Sequence, residues 1–422
     1  MEASNPGEAS MDFPEDFRCP ISMEIMKDPV TISTGVTYER KNIYRWFHTY
    51  RKKTCPATMQ AVDDFEMTPN HTLKRLIIAW SDSKADCAAA PSAKHGELVE
   101  ILSAMDTTPF KVSSLRKLRS IVEVGDEIRA DFKRLGGVQV LVRIIGQILV
   151  ENSDFGTFRA CEEALGILDA IPISDEDDPI LQLLMNPNCV RSMAVMLQRG
   201  GAEARSCTIS IFLKIAKADY HWNFVVQEQG VDFFKSLLEI VSDEVCAKAT
   251  AGALQLLVDI LAASKKSRLK AIEAGAICTL IELLPDSNSR ARSERVMLLI
   301  KLLCECAEGR LAFTEHELGI PAVAKKMFDV SATATKIAVK IVWLISSFHP
   351  TEKVLEELLA CGAVKKLVAL LHIGGGGGGG QSRTKERVVK VLKLHSRTWR
   401  RHPCFPGEVR DYLGLGNDTW EN

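Results

Sequence analysis

The chain has 422 residues, with 53 Lys plus Arg against 54 Asp plus Glu, a net charge of −1, and 46% hydrophobic and 25% charged residues. That is ordinary globular composition, long enough for roughly two to four domains. The balanced charge argues against wholesale nucleic-acid binding, which needs a basic surplus to neutralise phosphates. Local basic runs at 265–270, 290–295 and 397–401 read as solvated helix ends or loops.

The first ten residues, MEASNPGEAS, are polar and acidic and lack the pattern of a secretory leader. No run approaches the ~18 uninterrupted apolar residues of a membrane helix. The twelve cysteines read as reduced thiols of a cytoplasmic, or also nuclear, protein. Most, such as Cys161, Cys207 and Cys246, sit in helical patterns as small apolar fillers.

Residues 1–13 read as a flexible tail and 14–86 as a first, small domain. Two short strands fall on VTI (Val30 to Ile32) and VTY (Val36 to Tyr38), hinged at Gly35. A helix follows with Ile43, Trp46, Phe47 and Tyr50 at i, i+3, i+4 and i+7. A polar loop carries Cys55 and Pro56, and a second helix repeats the spacing with Leu73, Leu76, Ile77 and Trp80. The segment SDSKADCAAAPSAKHG, residues 81–96, is small, polar and proline-containing and reads as a linker, with the domain ending at 86 and the linker proper at 87–96.

From Glu97 to residue 400 the pattern is helical and repeated. The stretches GGVQVLVRII, NCVRSMAVML, QGVDFFKSLL, GAICTLIELL, GIPAVAKKMF and GAVKKLVALL start 52, 41, 46, 44 and 43 residues apart. Longer apolar helices such as RACEEALGILDAI and KIAVKIVWLISSF lie between them. A period of about 40–47 residues is the signature of an armadillo or HEAT solenoid. Glycine at or near most repeat starts supplies the turn between helices. Helices at Gly96–Met105 and Val112–Val122 should cap the stack. The loop Ile173–Pro179 is acidic and ends in a helix-ending proline. Seven glycines, Gly374 to Gly380, interrupt the last unit before a closing helix, Lys385 to Arg400, and 401–422 forms a tail. The fold expected is mostly α, a small α+β domain followed by an α-solenoid of about six repeats.

Order and spacing over the first domain resemble the U-box, the metal-free relative of the RING domain, and the repeats resemble armadillo units. Together the chain is similar to the plant U-box/armadillo ubiquitin ligases. The resemblance implies an enzyme that works by positioning. Its U-box would hold a ubiquitin-charged conjugating enzyme while the repeats hold a protein substrate, with no covalent ubiquitin intermediate and no cofactor. It also implies a role in stress or immune signalling and a possible homodimer. Carried across by position, the conjugating-enzyme surface is Ile21, Met23, Trp46 and Pro56. Many family members have Arg or Lys three residues after the second-loop proline; here that linchpin position is Met59, which cannot donate a hydrogen bond.

The residues themselves fit this reading. The potential zinc ligands, Cys19, His48, Cys55 and His71, are too few for the two sites of a RING, so no metal is expected. Glu24, Lys27, Asp28, Glu39 and Arg40 are candidates for the polar bonds that take the place of zinc in the family. Cys19 and Cys55 are read as packing residues, not as a thioester relay. Cys304 and Cys306, two apart on a helix, would point to opposite sides. The substrate groove is expected along the third helix of each unit, with Arg143, Lys235, Glu282 and Lys365 as examples. Trp343 falls outside that set, and no W-x-x-x-N series supports a nuclear-import role. The other class of function open to this sequence is a non-catalytic scaffold whose U-box only docks a partner.

Overall fold

The computed structural model describes residues 14–87, 91–108, 110–150, 154–174, 178–243, 246–287, 289–372 and 379–400. The chain divides into two compact units, 1–96 and 97–422.

In the first unit, β1 (Pro29–Thr31) pairs antiparallel with β2 (Thr37–Glu39), which runs straight into α1 (Arg40–Tyr44). A third strand, β3 (Thr68–Pro69), pairs with the other edge of β1 and leads into α2 (His71–Cys87). Both expected strands therefore sit one residue from their observed places, and β3, only two residues long, had no periodic signal. Asn70 locks the sheet to α2. Its amide donates to Thr31 Oγ1 (3.3 Å) and Thr37 Oγ1 (3.4 Å), and its Oδ1 accepts the Leu73 amide (3.0 Å). The core gathers Cys19, Met26, Val30, Ile32, Tyr38, Ile43, Phe47, Cys55, Val62 and Ile77.

After Tyr44 the helix widens to π winding over Arg45–Thr49. The wider turn breaks the i, i+7 relation. Ile43 and Phe47 are buried, whereas Tyr50, expected on the same face, is 65% exposed. Leu76 of α2 is likewise on the surface, while Ile77 is buried. The segment read as a linker is largely helical, because α2 runs to Cys87 and α3 spans Pro91–Ala104. Its alanines favour a helix, so small polar composition misled there.

The second unit opens at Glu97 with the rest of α3, followed by α4 (Lys111–Val122), α5 (Asp126–Arg134), α6 (Gly137–Gly146) and α7 (Phe155–Ala170). Then come α8 (Asp178–Leu184), α9 (Pro187–Arg199) and α10 (Ala202–Lys217), and α11 (Asn223–Glu228), α12 (Gly230–Asp243) and α13 (Ala247–Ala263). The next unit is α14 (Lys265–Glu273), α15 (Ala276–Leu283) and α16 (Arg290–Leu303). The last two are α17 (Ala307–Glu315), α18 (Gly319–Asp329) and α19 (Ala332–Phe348), then α20 (Glu352–Ala360), α21 (Ala363–His372) and α22 (Gly379–Arg400).

Each triplet has a short first helix, a middle helix and a long third one. Left-handed glycines join the first two in α5–α6 (Gly136, φ +76°), α14–α15 (Gly275, φ +87°) and α20–α21 (Gly362, φ +74°). The third helices, with α4 at the head, form one ladder in which each packs directly on the next. A single apolar core runs the length of the stack, from Leu98 to Trp399.

Pro179 lies in the first turn of α8 and starts that helix where the sequence reading had it end one; proline suits the first turn because its missing N–H would have no partner there. Cys304 and Cys306 are not on a helix. They cap the end of α16 and the start of α17, and both are buried. Of the glycine run, Gly379 and Gly380 open α22, and 374–378 lie outside the described residues, as do 1–13 and the tail at 401–422. Among the described residues no helix is long and apolar enough to cross a membrane.

Candidate functional site

Two loops of the first unit share one design. In the first, CPISME, the Cys19 amide donates to Glu24 O and the Met23 amide to Cys19 O, both at 2.8 Å. In the second, CPATMQ, Cys55 N donates to Gln60 O and Met59 N to Cys55 O, again both at 2.8 Å. Each loop closes with an isolated bridge, Arg18 to Ile25 and Thr54 to Ala61, and each puts its methionine in the left-handed region, Met23 at φ 58° and Met59 at φ 59°. The sequence reading named both cysteines but missed that C-P-x-S/T-M occurs twice, which was the available signal.

The β2–α1 segment holds both loops. Glu39 N (3.3 Å) and Asn42 Nδ2 (3.6 Å) donate to Cys19 Sγ, and Asn42 also donates to Ser22 Oγ (3.0 Å). One residue earlier, the Tyr38 hydroxyl lies 3.0 Å from Cys55 Sγ and accepts the Ala57 amide at 3.0 Å, while Thr34 Oγ1 donates to the same sulfur at 3.3 Å. Because the Tyr38 oxygen accepts from Ala57, its proton is free to point at the thiol. Trp46 Nε1 donates to Thr54 O at 2.7 Å and so ties the helix to the second loop.

These donors set the thiol chemistry. Burial raises both pKa values, yet at Cys55 the hydroxyls of Thr34, Thr58 and Tyr38 and the Thr58 amide outweigh it and bring the thiol down to about 6. At Cys19 the same contest, won by the Glu39 amide, Asn42 and the Ile21 and Ser22 amides, also ends below the ordinary value. Burial, with the Cys55 sulfur second, pushes Tyr38 up. Both sulfurs are fully buried acceptors in filled hydrogen-bond networks, so neither is presented to a reaction partner. Among the described residues no three His, Cys, Asp or Glu side chains gather as a metal site.

Of the charged residues expected to brace the loops, three do. Arg40 Nε pairs with Asp28 at 2.6 Å, with Lys74 3.5 Å from the same carboxylate, and Glu39 Oε2 accepts the Lys27 (2.7 Å) and Asp28 (3.0 Å) amides. The Arg40 hydrogen bond leads in holding the Asp28 carboxyl below its usual range. Among the described residues the side chains of Glu24 and Lys27 take no part; only their backbones do.

The loops leave an apolar surface. Ile21 is 36% exposed, Met23 61% and Met59 67%, and Trp46 and Pro56 are half-buried. Exposed apolar side chains on loops tethered this firmly have a fixed shape to offer a partner.

In the second unit the four expected groove residues sit on middle helices, Arg143 on α6, Lys235 on α12, Glu282 on α15 and Lys365 on α21. The expectation placed them on the third helix because the repeats were phased on the stretch after each glycine, which is the second helix. Arg143 pairs with Asp106 at 3.1 Å, Glu282 lies 3.8 Å from His316 Nε2, and Lys235 and Lys365 are exposed. The long helices, in contrast, form the ladder in which each packs directly on the next. Trp343, set aside from the sequence, lies on that ladder in α19.

A small β-hairpin unit with paired tethered loops, joined to a stack of three-helix repeats, defines the class as U-box plus armadillo. Residues 13–86 match the U-box domain family and residues 96–409 the plant U-box protein ARM repeat region. From Arabidopsis thaliana, the E3 ubiquitin-protein ligase PUB23 is 34% identical over 94% of this chain and 96% of its own, and the E3 ubiquitin-protein ligase PUB22 is 30% identical over 95% and 98%. A designed armadillo repeat protein aligns over 60% of this chain and 99% of its own at 17% identity, with a TM-score of 0.45, too loose a likeness to carry any residue across. The chain belongs to the plant U-box/armadillo-repeat ubiquitin ligases. Enzymes of this class are RING-like transferases that act without a covalent ubiquitin intermediate.

Proposed function

We propose that the two tethered loops and α1 dock a ubiquitin-charged conjugating enzyme through Ile21, Met23, Trp46 and Pro56, while the repeat array holds the protein substrate. The observation that carries this is the pair of loops: both present their apolar tips from a backbone fixed by the same hydrogen bonds. With Cys19 and Cys55 buried, neither is presented as a nucleophile. The chain's chemical contribution is proximity: a substrate lysine held beside a thioester reacts in a nearly unimolecular step, which is worth several kcal/mol. Met59, at the linchpin position, supplies no cation to bridge ubiquitin and the conjugating enzyme, so docking is retained and thioester activation is weak.

Self-ubiquitination with purified activating and conjugating enzymes tests the reading. The wild type builds conjugates and Ile21→Ala does not. A wild type inactive with every conjugating enzyme would favour a docking-only scaffold, and equal activity of both chains would move the docking surface elsewhere. Work in stress or immune signalling and a homodimeric state are further parts of the proposal, supported by the family resemblance, as is a cytoplasmic, or also nuclear, location, supported by the cysteine usage. Fluorescent fusions in plant cells, the stress phenotype of a disrupted allele and light scattering of the purified chain test them in turn.

A further inference from the structure

Cations on the long-helix ladder are paired with carboxylates towards its N-terminal end, whereas at its C-terminal end Lys340, Arg387 and Lys390 have no ion-pair partner among the described residues. Towards the N-terminal end Arg116 pairs with Glu163 (2.7 Å), Arg119 with Glu203 (2.8 Å) and Arg159 with Glu162 (2.6 Å), and Lys214 lies 3.7 Å from the Asp169 carboxylate. Towards the C-terminal end, α16, α19 and α22 stack in succession and present Lys301, Lys340, Arg387 and Lys390. Glu305 is the carboxylate near Lys340, and it is already held by Lys301 (2.7 Å) and Arg268 (3.7 Å).

Lys340 is instead parked on an aromatic face. Its ammonium lies 3.9 Å from the centroid of the Trp343 ring, and Trp343 meets Phe348 edge-on at 5.3 Å. Partial burial, then the Arg387 and Lys301 charges, push the Lys340 pKa down against the pull of Glu305, so the cations crowd one another. A half-buried, crowded set of cations gains most from an added anion, because both desolvation and mutual repulsion are offset at once.

We propose that the Lys340–Trp343 stripe of α19, flanked by Lys301 on α16 and Arg387 on α22, docks an acidic segment of a partner protein. This rests on the reading that the array selects substrates and names their chemistry. Helices stacked about 8–10 Å apart spread these cations over roughly 16–20 Å, the reach of about five or six extended residues. Acidic side chains would take Lys340 and Arg387 and compete with Glu305 for Lys301, and an apolar residue between them would lie against Trp343.

Fluorescence anisotropy on the full chain tests this with a short labelled peptide of Asp, Glu and Leu and its Asn, Gln and Leu counterpart. The acidic peptide binds and the amide one does not. The double variant Lys340→Glu, Arg387→Glu weakens binding at least about tenfold, Lys340→Arg keeps it within about threefold, and Lys266→Glu on α14 leaves it unchanged. Unaltered binding by a double variant that still melts cooperatively, binding of the amide peptide, or tighter binding of a single-stranded oligonucleotide would each overturn the proposal. Fusing the acidic peptide to a lysine-bearing reporter, with wild-type self-ubiquitination in parallel, separates the two readings. Self-ubiquitination without peptide binding sinks the docking proposal alone, and peptide binding without any conjugation sinks the ligase reading alone.

Discussion

Met23 and Met59 are equivalent residues of two loops built on one pattern. Each donates its amide to the carbonyl of the cysteine four residues before it at 2.8 Å, and each sits near φ +60°, at 58° and 59°. A non-glycine residue in that region costs of order 1 kcal/mol, and here it is imposed twice by the same closure. The closure aims Ile21 outward in one loop and exposes Met59 in the other.

Met59→Arg should raise the rate at which a docked conjugating enzyme releases ubiquitin to free lysine, by a few-fold to about tenfold. The backbone there is fixed by the loop, so the substitution changes only the side chain, from a thioether to a guanidinium with charge-assisted donors. Single-turnover discharge measures it, and an unchanged or slower rate would remove the linchpin role from this position. Melting temperature should not move, because the side chain is already 67% exposed.

Ile21→Ala and Trp46→Ala should separate docking from folding. Ile21 is partly exposed, so truncation removes little packing yet takes an anchor out of the docking surface, and discharge falls about tenfold or more at an unchanged melting temperature. Trp46→Ala instead strips the hydrogen bond to Thr54 and half-buried packing, and costs of order 2 kcal/mol of stability. A thermal melt alongside discharge reads both, and the opposite pattern would exchange the two roles.

Cys55 should make the U-box more stable as pH rises from about 6 towards 9. Its thiol falls from an ordinary value of 9.0 to about 6 in the folded chain, the hydroxyl donors outweighing burial. Between those values the folded state binds fewer protons than the unfolded one, so stability is fully present above 9 and is lost as pH falls through 6. Thiolate ultraviolet absorbance should show a midpoint near 6 that Cys55→Ser removes. Cys19 keeps a weaker slope of the same sign in that variant, since its thiol is lowered too. A Cys55 midpoint near 9 would contradict the hydrogen-bond assignment.

How much of this was legible in the sequence depends on the kind of signal. The repeat period and the glycine joints at Gly136, Gly275 and Gly362 could be read directly, because a left-handed backbone leaves few choices of residue. Ile43 and Phe47 were legible as core for the same reason of spacing, whereas Tyr50 was not, because the π winding after Tyr44 has no sequence mark. The phase of the three-helix unit was read one helix off, which put Arg143 and Lys365 on the expected groove and left Trp343 outside it. Apolar periodicity fixes how often helices recur, but the layer each one occupies depends on contacts between repeats. The Tyr38–Cys55–Ala57 network was invisible, since its members are 17 and 19 residues apart and share no motif.

Two glycines of the array should answer to alanine with opposite signs. At Gly309, in the first turn of α17, an added Cβ would overlap the backbone carbonyl of Leu303, and backbone cannot yield as a side-chain tip does. Gly309→Ala should therefore force α16 and α17 apart and cost about 1–3 kcal/mol. Gly146 closes α6 in helical conformation at φ −61°, and an added Cβ there meets nothing within 4 Å. With no contact to lose, Gly146→Ala acts on the unfolded chain, whose freedom it reduces, and should stabilise by about 0.4–1 kcal/mol. Chemical denaturation of the two variants reads the signs directly. A stabilised Gly309→Ala would mean that α17 does not close against α16 as tightly as the Leu303 carbonyl implies.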